Sequence, residues 1–164
     1  MSIPAACIAL VKEFEGLRLK PYRDLTGTWT IGWGHCGGVN EHTAPITRAE
    51  AEELLARDLG VAAGIVDSHV RVPLNENQRG ALISFCFNVG PGRAGYKDGL
   101  VWLKSGRNST MLSLLNQGQY QRAAQEFAKW ANAFNLKTGR KEPVAGLLRR
   151  RIAERDLFLK PVEA

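Results

Sequence analysis

The chain has few cysteines and no long apolar run. Its 164 residues contain three cysteines, Cys7, Cys36 and Cys86, and an odd, widely spaced set argues against a disulfide framework. No stretch approaches the roughly 18 uncharged apolar residues of a membrane span. The opening residues, MSIPAACIALVKEFEG, lack the basic and then apolar organisation of a signal peptide. We therefore expect a protein that is made and folded in the cytoplasm.

Metal ligands in the usual spacing are also lacking. His35 and His42 flank Cys36, but there is neither a CxxC pair nor a second pair of ligands. Structural zinc needs four convergent nitrogen or sulfur ligands. We therefore expect no metal and no cofactor. Cys7 and Cys86 fall on apolar helical faces and are interpreted as small buried hydrophobic residues.

Acidic residues are fewer than basic ones, and the formal net charge is +6. The last quarter of the chain is rich in basic residues, including Lys137, Arg140, Lys141 and the arginines 149–151. A basic surface attracts polyanions, which include nucleic acid, anionic membranes and cell-wall polymers, and charge alone does not choose among them. We interpret the arginines 149–151 as a mixture of solvated and structural residues.

The apolar residues that are present recur mostly at helical steps. This spacing predicts a first helix over 3–14, which Gly16 ends. A capping box at 47–50 begins a long helix of roughly 20 residues, or about 30 Å. A third helix, capped by Asn75, is apolar almost all round and is placed at the centre of the protein. Further helices are predicted near 100–104 and over 109–117, 119–133 and 143–158, with a basic loop over 134–143.

Two short runs, 17–22 and 28–33, alternate in the manner of β-strands instead. Asp24 and Gly27 lie between the runs, which predicts a short antiparallel hairpin. The pattern therefore indicates an α+β protein that is rich in helices and has one small hairpin near its start.

Two carboxylates, Glu15 and Asp24, are the best pair in the sequence for acid–base chemistry. Cleavage of a glycosidic bond needs one group to protonate the leaving oxygen and a second to attack or to activate water. We expect apolar neighbours to desolvate Glu15 and favour its protonated form, whereas Asp24 lies in a polar turn and stays ionised. The Thr30 hydroxyl can hold a water. On spacing alone, solvated surface carboxylates remain the alternative.

These residues lie within a longer motif that resembles a known one. The segments EGLRL at 15–19 and TIGWGH at 30–35, with Tyr22, Asp24 and Gly27, resemble the active-site signature of the bacteriophage lysozymes, the endolysins of glycoside hydrolase family 24. The similarity continues in TRAEAEELLARD at 47–58, QRGALISFCFNVG at 78–90, FAKW at 127–130 and GLLRRR at 146–151, which Glu154 follows. One departure is the segment 91–106, which is longer than is usual in the family.

The resemblance implies a mostly helical, lysozyme-like α+β fold in a single domain over 1–164. A small lobe of about 15–60 would carry the hairpin, a larger helical lobe would comprise about 1–14 and 61–164, and the long helix would connect them. The implied activity is that of an N-acetylmuramidase, which hydrolyses the β-1,4 bond between N-acetylmuramic acid and N-acetylglucosamine of peptidoglycan. Glu15 would be the general acid, and Asp24 and Thr30 would position the attacking water. We expect inversion, the outcome when the two carboxyl groups stand roughly 6.5 to 9.5 Å apart.

Four residues outside this trio also have expected roles. The family pattern implies that His35 pairs with Asp58 on the long helix and ties the lobes together. Such a pair should stabilise the fold more at pH 5 than at pH 8, because the imidazole loses its charge as the pH rises. Asn88 is assigned to substrate contact at the cleft floor and is also the expected partner of the Trp130 indole N–H. Trp33 is assigned to substrate binding, with a core position as its alternative.

The expected biology follows from the resemblance. An endolysin of this kind would wait in the host cytoplasm as a monomer, depend on a holin for release, and act on the cell wall in the periplasm. Two alternatives stay open at this point. One is an inverting chitinase or chitosanase that uses the same carboxylates, and the other is a basic helical nucleic-acid-binding protein with salt-sensitive binding.

Overall fold

The structure, a computed structural model, describes residues 2–163. Over this range the chain forms six α-helices and two antiparallel hairpins. In chain order the elements are α1 (Ala5–Glu15), β1 (Arg18–Arg23), β2 (Trp29–Gly32), α2 (Arg48–His69), α3 (Glu76–Val89), α4 (Thr110–Asn116), α5 (Tyr120–Ala124), β3 (Asn132–Asn135), β4 (Arg140–Pro143) and α6 (Ala145–Leu159). The predicted helix-rich α+β class is confirmed. In the described range, no helix combines the length and the apolar character needed to cross a membrane.

Helix α3 forms the centre of the core. It begins at a capping box in which Asn75 and Gln78 each accept a hydrogen bond from the other's backbone N–H, at 2.8 and 2.9 Å. All eight residues from 79 to 86 are buried, because α1, α2 and α6 pack around the helix. The Phe85 ring meets the edges of Phe127 and Trp130, each at a centroid distance of 5.5 Å. Burial of this apolar surface is the main stabilising contribution to such a core.

Helix α2 links the first hairpin to α3. Its capping box is present, with the Thr47 hydroxyl accepting from the Glu50 N–H at 3.1 Å. Its apolar face, which includes Leu55, Leu59 and Val66, is buried in the same core as α3. Helix α2 contacts both β2, where Ala51 lies next to Gly32, and α3. Helix α2 therefore connects the first hairpin to the central helix.

A second hairpin replaces the predicted basic loop. Strands β3 and β4 pair from Asn132 with Pro143 through to Asn135 with Arg140. The turn closes with the Gly139 N–H donating to the Asn135 carbonyl at 2.8 Å, and Gly139 takes a positive φ of 71°. The prediction of a loop was wrong because only four residues pair on each side and their apolar alternation is weak.

The predicted helix near 100–104 is also absent from the structure. The backbone N–H groups of Leu100 and Val101 donate to the carbonyls of Gly90 and Pro91, at 3.0 and 2.9 Å, and not to carbonyls four residues earlier. A Cβ added to Gly92 would lie 2.5 Å from the Gly99 nitrogen, so two stretches of backbone cross there at a distance that only glycine allows. After Gly118 the predicted helix 119–133 shortens to α5 and a 3₁₀ turn at Phe127–Lys129.

Candidate active site

Glu15 is the last residue of α1. Gly16 ends the helix with a positive φ of 68°, and its N–H donates to the Lys12 carbonyl at 3.0 Å. The Glu15 side chain retains 17% exposure. The carboxyl end of a helix carries partial negative charge, which opposes a second negative charge at that position. Glu15 therefore stands at the end of the helix with its side chain only partly open to solvent.

An arginine from the far end of the chain contacts this carboxyl group. The Nη1 of Arg150, on α6, donates to Glu15 Oε2, and the Arg150 side chain is only 4% exposed. On the other side, a Cβ added to Gly34 would lie 2.6 Å from Glu15 Oε1, so this glycine leaves room for the carboxyl group. We expected apolar neighbours to desolvate Glu15, and the structure adds a buried guanidinium group in direct contact with the carboxyl group.

Asp24 is held by its own turn. Its Oδ1 accepts from the Thr26 N–H at 2.9 Å, the Thr26 hydroxyl at 2.8 Å and the Thr28 N–H at 2.9 Å. The residue is exposed, and no described residue donates a hydrogen bond to Oδ2. Three donors on one oxygen stabilise an ionised carboxylate and leave the other oxygen open to solvent or substrate.

Thr30 lies on β2 opposite Tyr22 of β1. Its residue exposure is only 4%, and its hydroxyl donates to the Thr28 carbonyl at 2.9 Å. Because that hydrogen is already used, the Thr30 oxygen is an acceptor for any further partner. A water at this position would therefore point a hydrogen at Thr30.

Tyr22 is a site residue that the sequence reasoning treated only as part of the motif. Burial raises the pKa of its phenol, and the negative charges of Glu15 and Asp24 add to this effect, against the opposing charge of Arg18. The Arg18 guanidinium stacks over the ring at 4.6 Å. One half-buried tyrosine thus lies within the electrostatic reach of both carboxylates, which brings them to the same part of the surface.

His35 and Asp58 join the loop after β2 to helix α2. The His35 Nδ1 lies 2.8 Å from Asp58 Oδ2, and its Nε2 lies 2.9 Å from the Gly37 carbonyl oxygen. Both ring nitrogens face acceptors, and only the doubly protonated ring can donate to both. This geometry gives the pair its strongest form when the histidine is charged.

The two residues assigned to substrate contact, Asn88 and Trp33, lie in different environments. Asn88 is exposed, and its Oδ1 accepts from Arg151 Nη2 at 2.8 Å, so Arg151 and not Trp130 is the partner of that oxygen. Trp33 is only 4% exposed, with Lys12 Nζ 4.4 Å above its ring. This burial favours the alternative position of Trp33, in the core.

A buried cluster of charges lies directly behind Glu15. Glu154 is fully buried, and its Oε2 accepts from the Ser84 hydroxyl at 2.6 Å and from Arg150 Nε at 3.3 Å. Its Oε1 lies 2.7 Å from Arg151 Nε. Burial lowers the pKa of Arg151 to about 10. The interpretation of Arg150 as solvated or merely structural missed its contact with Glu15; an RRxxE spacing on one helical face was the available signal.

The two hairpins meet next to the Asp24 turn. A Cβ added to Gly27 would lie 2.6 Å from Leu136 Cδ1, so the tip of the second hairpin rests on the turn that carries Asp24. Two surface depressions, of about 300 and 270 Å³, lie elsewhere, one beside Ile8 and Leu55 and one beside Val70 and Arg79. Neither contains Glu15, Asp24 or Thr30, so we assign neither to the reaction.

Comparisons with known proteins were made on both sequence and structure. The family model described as phage lysozyme matches residues 12–154. The endolysin of Acyrthosiphon pisum secondary endosymbiont phage 1 is 36% identical over 158 residues, which cover 96% of this chain and 98% of that protein. The endolysin of Bacillus phage B103 is 40% identical over 161 residues, but this chain spans only 54% of its length.

A solved structure agrees over nearly the whole chain. The muramidase domain of SpmX from Asticaccaulis excentricus is 36% identical, with a TM-score of 0.77 and coverage of 98% of this chain and 99% of that one. Some similar proteins bear the name SAR-endolysin, among them one from Enterobacteria phage P21. It is 34% identical over 145 residues, which cover 88% of this chain and 77% of that protein.

Proposed function

The chain belongs to the phage lysozyme family and is a glycoside hydrolase, an endolysin that acts on bacterial peptidoglycan; from this premise we propose that Glu15, Asp24 and Thr30 carry out the reaction. The bond cleaved is the β-1,4 link from N-acetylmuramic acid to N-acetylglucosamine. The supporting observation is that two carboxylates in unlike surroundings both act electrostatically on the Tyr22 phenol and raise its pKa. Family membership favours this substrate over the chitinase-like and nucleic-acid-binding alternatives.

Glu15 donates the proton to the leaving glycosidic oxygen. A general acid must carry its proton when the bond breaks. Arg150 holds the carboxyl group in place, and Gly34 leaves room beside it. A bound sugar removes water from the exposed part of the carboxyl group, which favours the protonated form in the complex.

Asp24 and Thr30 hold the water that attacks C1 of the muramic acid. The open Oδ2 of Asp24 accepts one hydrogen of this water, and the Thr30 oxygen accepts the other. The oxygen lone pair then faces C1. As the new C–O bond forms and the glycosidic bond breaks, Asp24 takes a proton from the water and Glu15 gives one to the leaving sugar, with inversion at C1.

Other residues support this arrangement. Asn88 keeps its amide NH₂ for a sugar, since its oxygen is occupied by Arg151. The His35–Asp58 pair holds the loop after β2, which includes Gly34, against α2. We place the small lobe at about 15–60 and the helical lobe at about 1–14 and 61–164. The His35–Asp58 pair then lies within the small lobe, and the contact of Arg150 with Glu15 joins the two lobes.

The decisive test is Glu15→Gln in a wall-lysis assay on purified peptidoglycan. We expect a loss of at least about 100-fold, since a positioned general acid contributes 10²- to 10⁴-fold. The matched control is Glu13→Gln, an exposed glutamate on the same helix, which should keep its activity. Lysis by Glu15→Gln at the wild-type rate would refute the assigned acid. The anomer released first, read by NMR, separates inversion from retention.

For the route to the wall, we propose holin-dependent release from the host cytoplasm and action in the periplasm as a monomer. Helix α1 supports this route. Its Cys7, Leu10 and Val11 are buried in the enzyme core, so this helix is not available to insert into a membrane. The SAR-endolysin names carried by some relatives define the alternative. Expression in a host with and without a holin tests the proposal, and lysis without one would contradict it. Light scattering gives the mass in solution.

A further inference from the structure

Arg150 lies between two carboxylates, only one of which has a role in the reaction as described. Its Nη1 donates to Glu15 Oε2, and its Nε donates to Glu154 Oε2 at 3.3 Å. Glu154 is fully buried and cannot reach a substrate. A buried carboxylate is costly unless it is paired, and such a group is retained only where its partners compensate.

We propose that Glu154 is a positioning residue of the reaction, which acts on the acid Glu15 through the arginine that they share. It holds Arg150 in place and takes up part of its positive charge, so that Glu15 retains its proton at the pH at which the enzyme works. The proposal depends on the role of Glu15 as the general acid.

The anchoring of Glu154 is built from two helices. The Ser84 hydroxyl of α3 donates to its Oε2 at 2.6 Å, and Arg151 Nη2 donates to the same oxygen at 3.3 Å. Arg150 and Arg151 precede Glu154 by four and three residues on α6, so all three side chains project to one side of that helix. Nη2 of Arg150 also lies 3.4 Å from the Ser84 carbonyl and hydroxyl oxygens. The guanidinium therefore has a fixed orientation toward Glu15.

The charges around Glu15 explain why a second carboxylate is needed. Glu15 faces Arg150 of α6 and Tyr22 of β1, with Arg151 also within electrostatic reach. When Glu15 and Glu154 are both ionised, they balance the charges of the two arginines. If Glu15 is protonated, one positive charge stays uncompensated while Glu154 is present, and two stay uncompensated once Glu154 is removed. Because buried like charges repel strongly, loss of Glu154 would favour the ionised form of Glu15.

The test is the pH dependence of kcat/KM for Glu154→Gln on purified peptidoglycan. We expect the alkaline limb of the profile to move to lower pH by about one unit, since a charge at this range shifts a titration by 1 to 3 units. Activity on that limb would then fall about 10-fold, with a much smaller loss at acid pH. Glu154→Asp, which retains the charge, should return the limb most of the way to its wild-type position. An unmoved limb in a folded Glu154→Gln variant overturns the proposal.

The matched control is Asp67→Asn. Asp67 pairs with a different buried arginine, Arg79 of α3, through two hydrogen bonds of 2.9 Å. Its loss should lower stability and leave the alkaline limb in place, because Arg79 does not contact Glu15. If the role of Glu154 were purely structural, Glu154→Gln would also lower stability and leave the alkaline limb in place. An equal shift of the limb in both variants would contradict the proposal as well, because the shift would then not depend on the contact with Glu15.

A measurement on the wild-type enzyme applies if Glu154→Gln does not fold. Coupling between two sites is reciprocal, so if Glu154 affects the proton of Glu15 through Arg150, protonation of Glu15 must alter the bond from Arg150 to Glu154. The NMR signal of the Arg150 Nε–H should therefore move at the pH where the Glu15 carboxyl carbon titrates. A stationary signal overturns the proposal. An active Glu15→Gln variant would instead refute the assigned acid itself.

Discussion

The two carboxylates of the proposed active site are held in opposite ways. Asp24 takes its three hydrogen bonds from residues no more than four positions away in the same turn. Glu15 is held by Arg150, 135 residues later in the chain, and by the close approach of Gly34. One position is therefore a property of a short segment, and the other depends on the packing of the whole helical core. The difference separates a turn that can be altered locally from a buried cluster that cannot.

The largest expected effect comes from breaking the buried side of this comparison. Arg150→Met leaves Glu15 and Glu154 without their shared cation, and removal of one partner of a buried ion pair costs about 3 to 5 kcal/mol. We expect a loss of that size in the free energy of unfolding, measured in urea. Arg149→Met, at the exposed neighbouring position, should cost little. Equal losses in the two variants would contradict the buried role of Arg150.

A smaller effect should come from the turn. Thr26→Val removes one of the three donors to Asp24 Oδ1 and retains the shape of the side chain. A single hydrogen bond contributes about 0.5 to 1.5 kcal/mol, so we expect a loss of that order in stability and a several-fold loss of lysis. Thr138→Val, in the turn of the second hairpin, is the control. Unchanged activity of Thr26→Val would show that two donors suffice to hold Asp24.

The smallest effect concerns the His35–Asp58 pair, which is neither local nor deeply buried, with 20% and 24% side-chain exposure. His35→Asn should lower the free energy of unfolding by less than about 1 kcal/mol, because it removes one partner of a partly exposed pair. His42→Asn, at an exposed pair, serves as the control. Equal losses in the two variants would contradict a stabilising role for the His35–Asp58 pair.

The same contrast explains which elements the sequence analysis predicted. The capping box at Thr47, the Asn75 cap and the first hairpin were predicted because their signals lie within a few residues. The second hairpin was missed because its strands carry little apolar alternation and are defined by pairing with each other. The segment around Leu100 was read as a helix, whereas its backbone bonds to residues 90–91.

The residues of the candidate site were predicted or missed for the same reason. The motif that contains Glu15, Asp24 and Thr30 was visible because its members fall within one short stretch. The burial of Trp33 could not be predicted, because it depends on Lys12 and the core around it and not on its neighbours in the sequence. Arg150 and Glu154 were visible as part of the resemblance to the family, but nothing in the sequence showed that Arg150 contacts Glu15.

The sequence by itself determined the helix-rich α+β class, the turn around Asp24 and the residues of the catalytic motif, since each depends on contacts between near neighbours along the chain. Only the tertiary structure decided which charges surround Glu15. Helices α1, α3 and α6 pack together because their apolar faces exclude water, and that packing brings Arg150, Glu154 and Ser84 behind the acid. The electrostatic balance at the acid is therefore set by residues that are far apart in the chain.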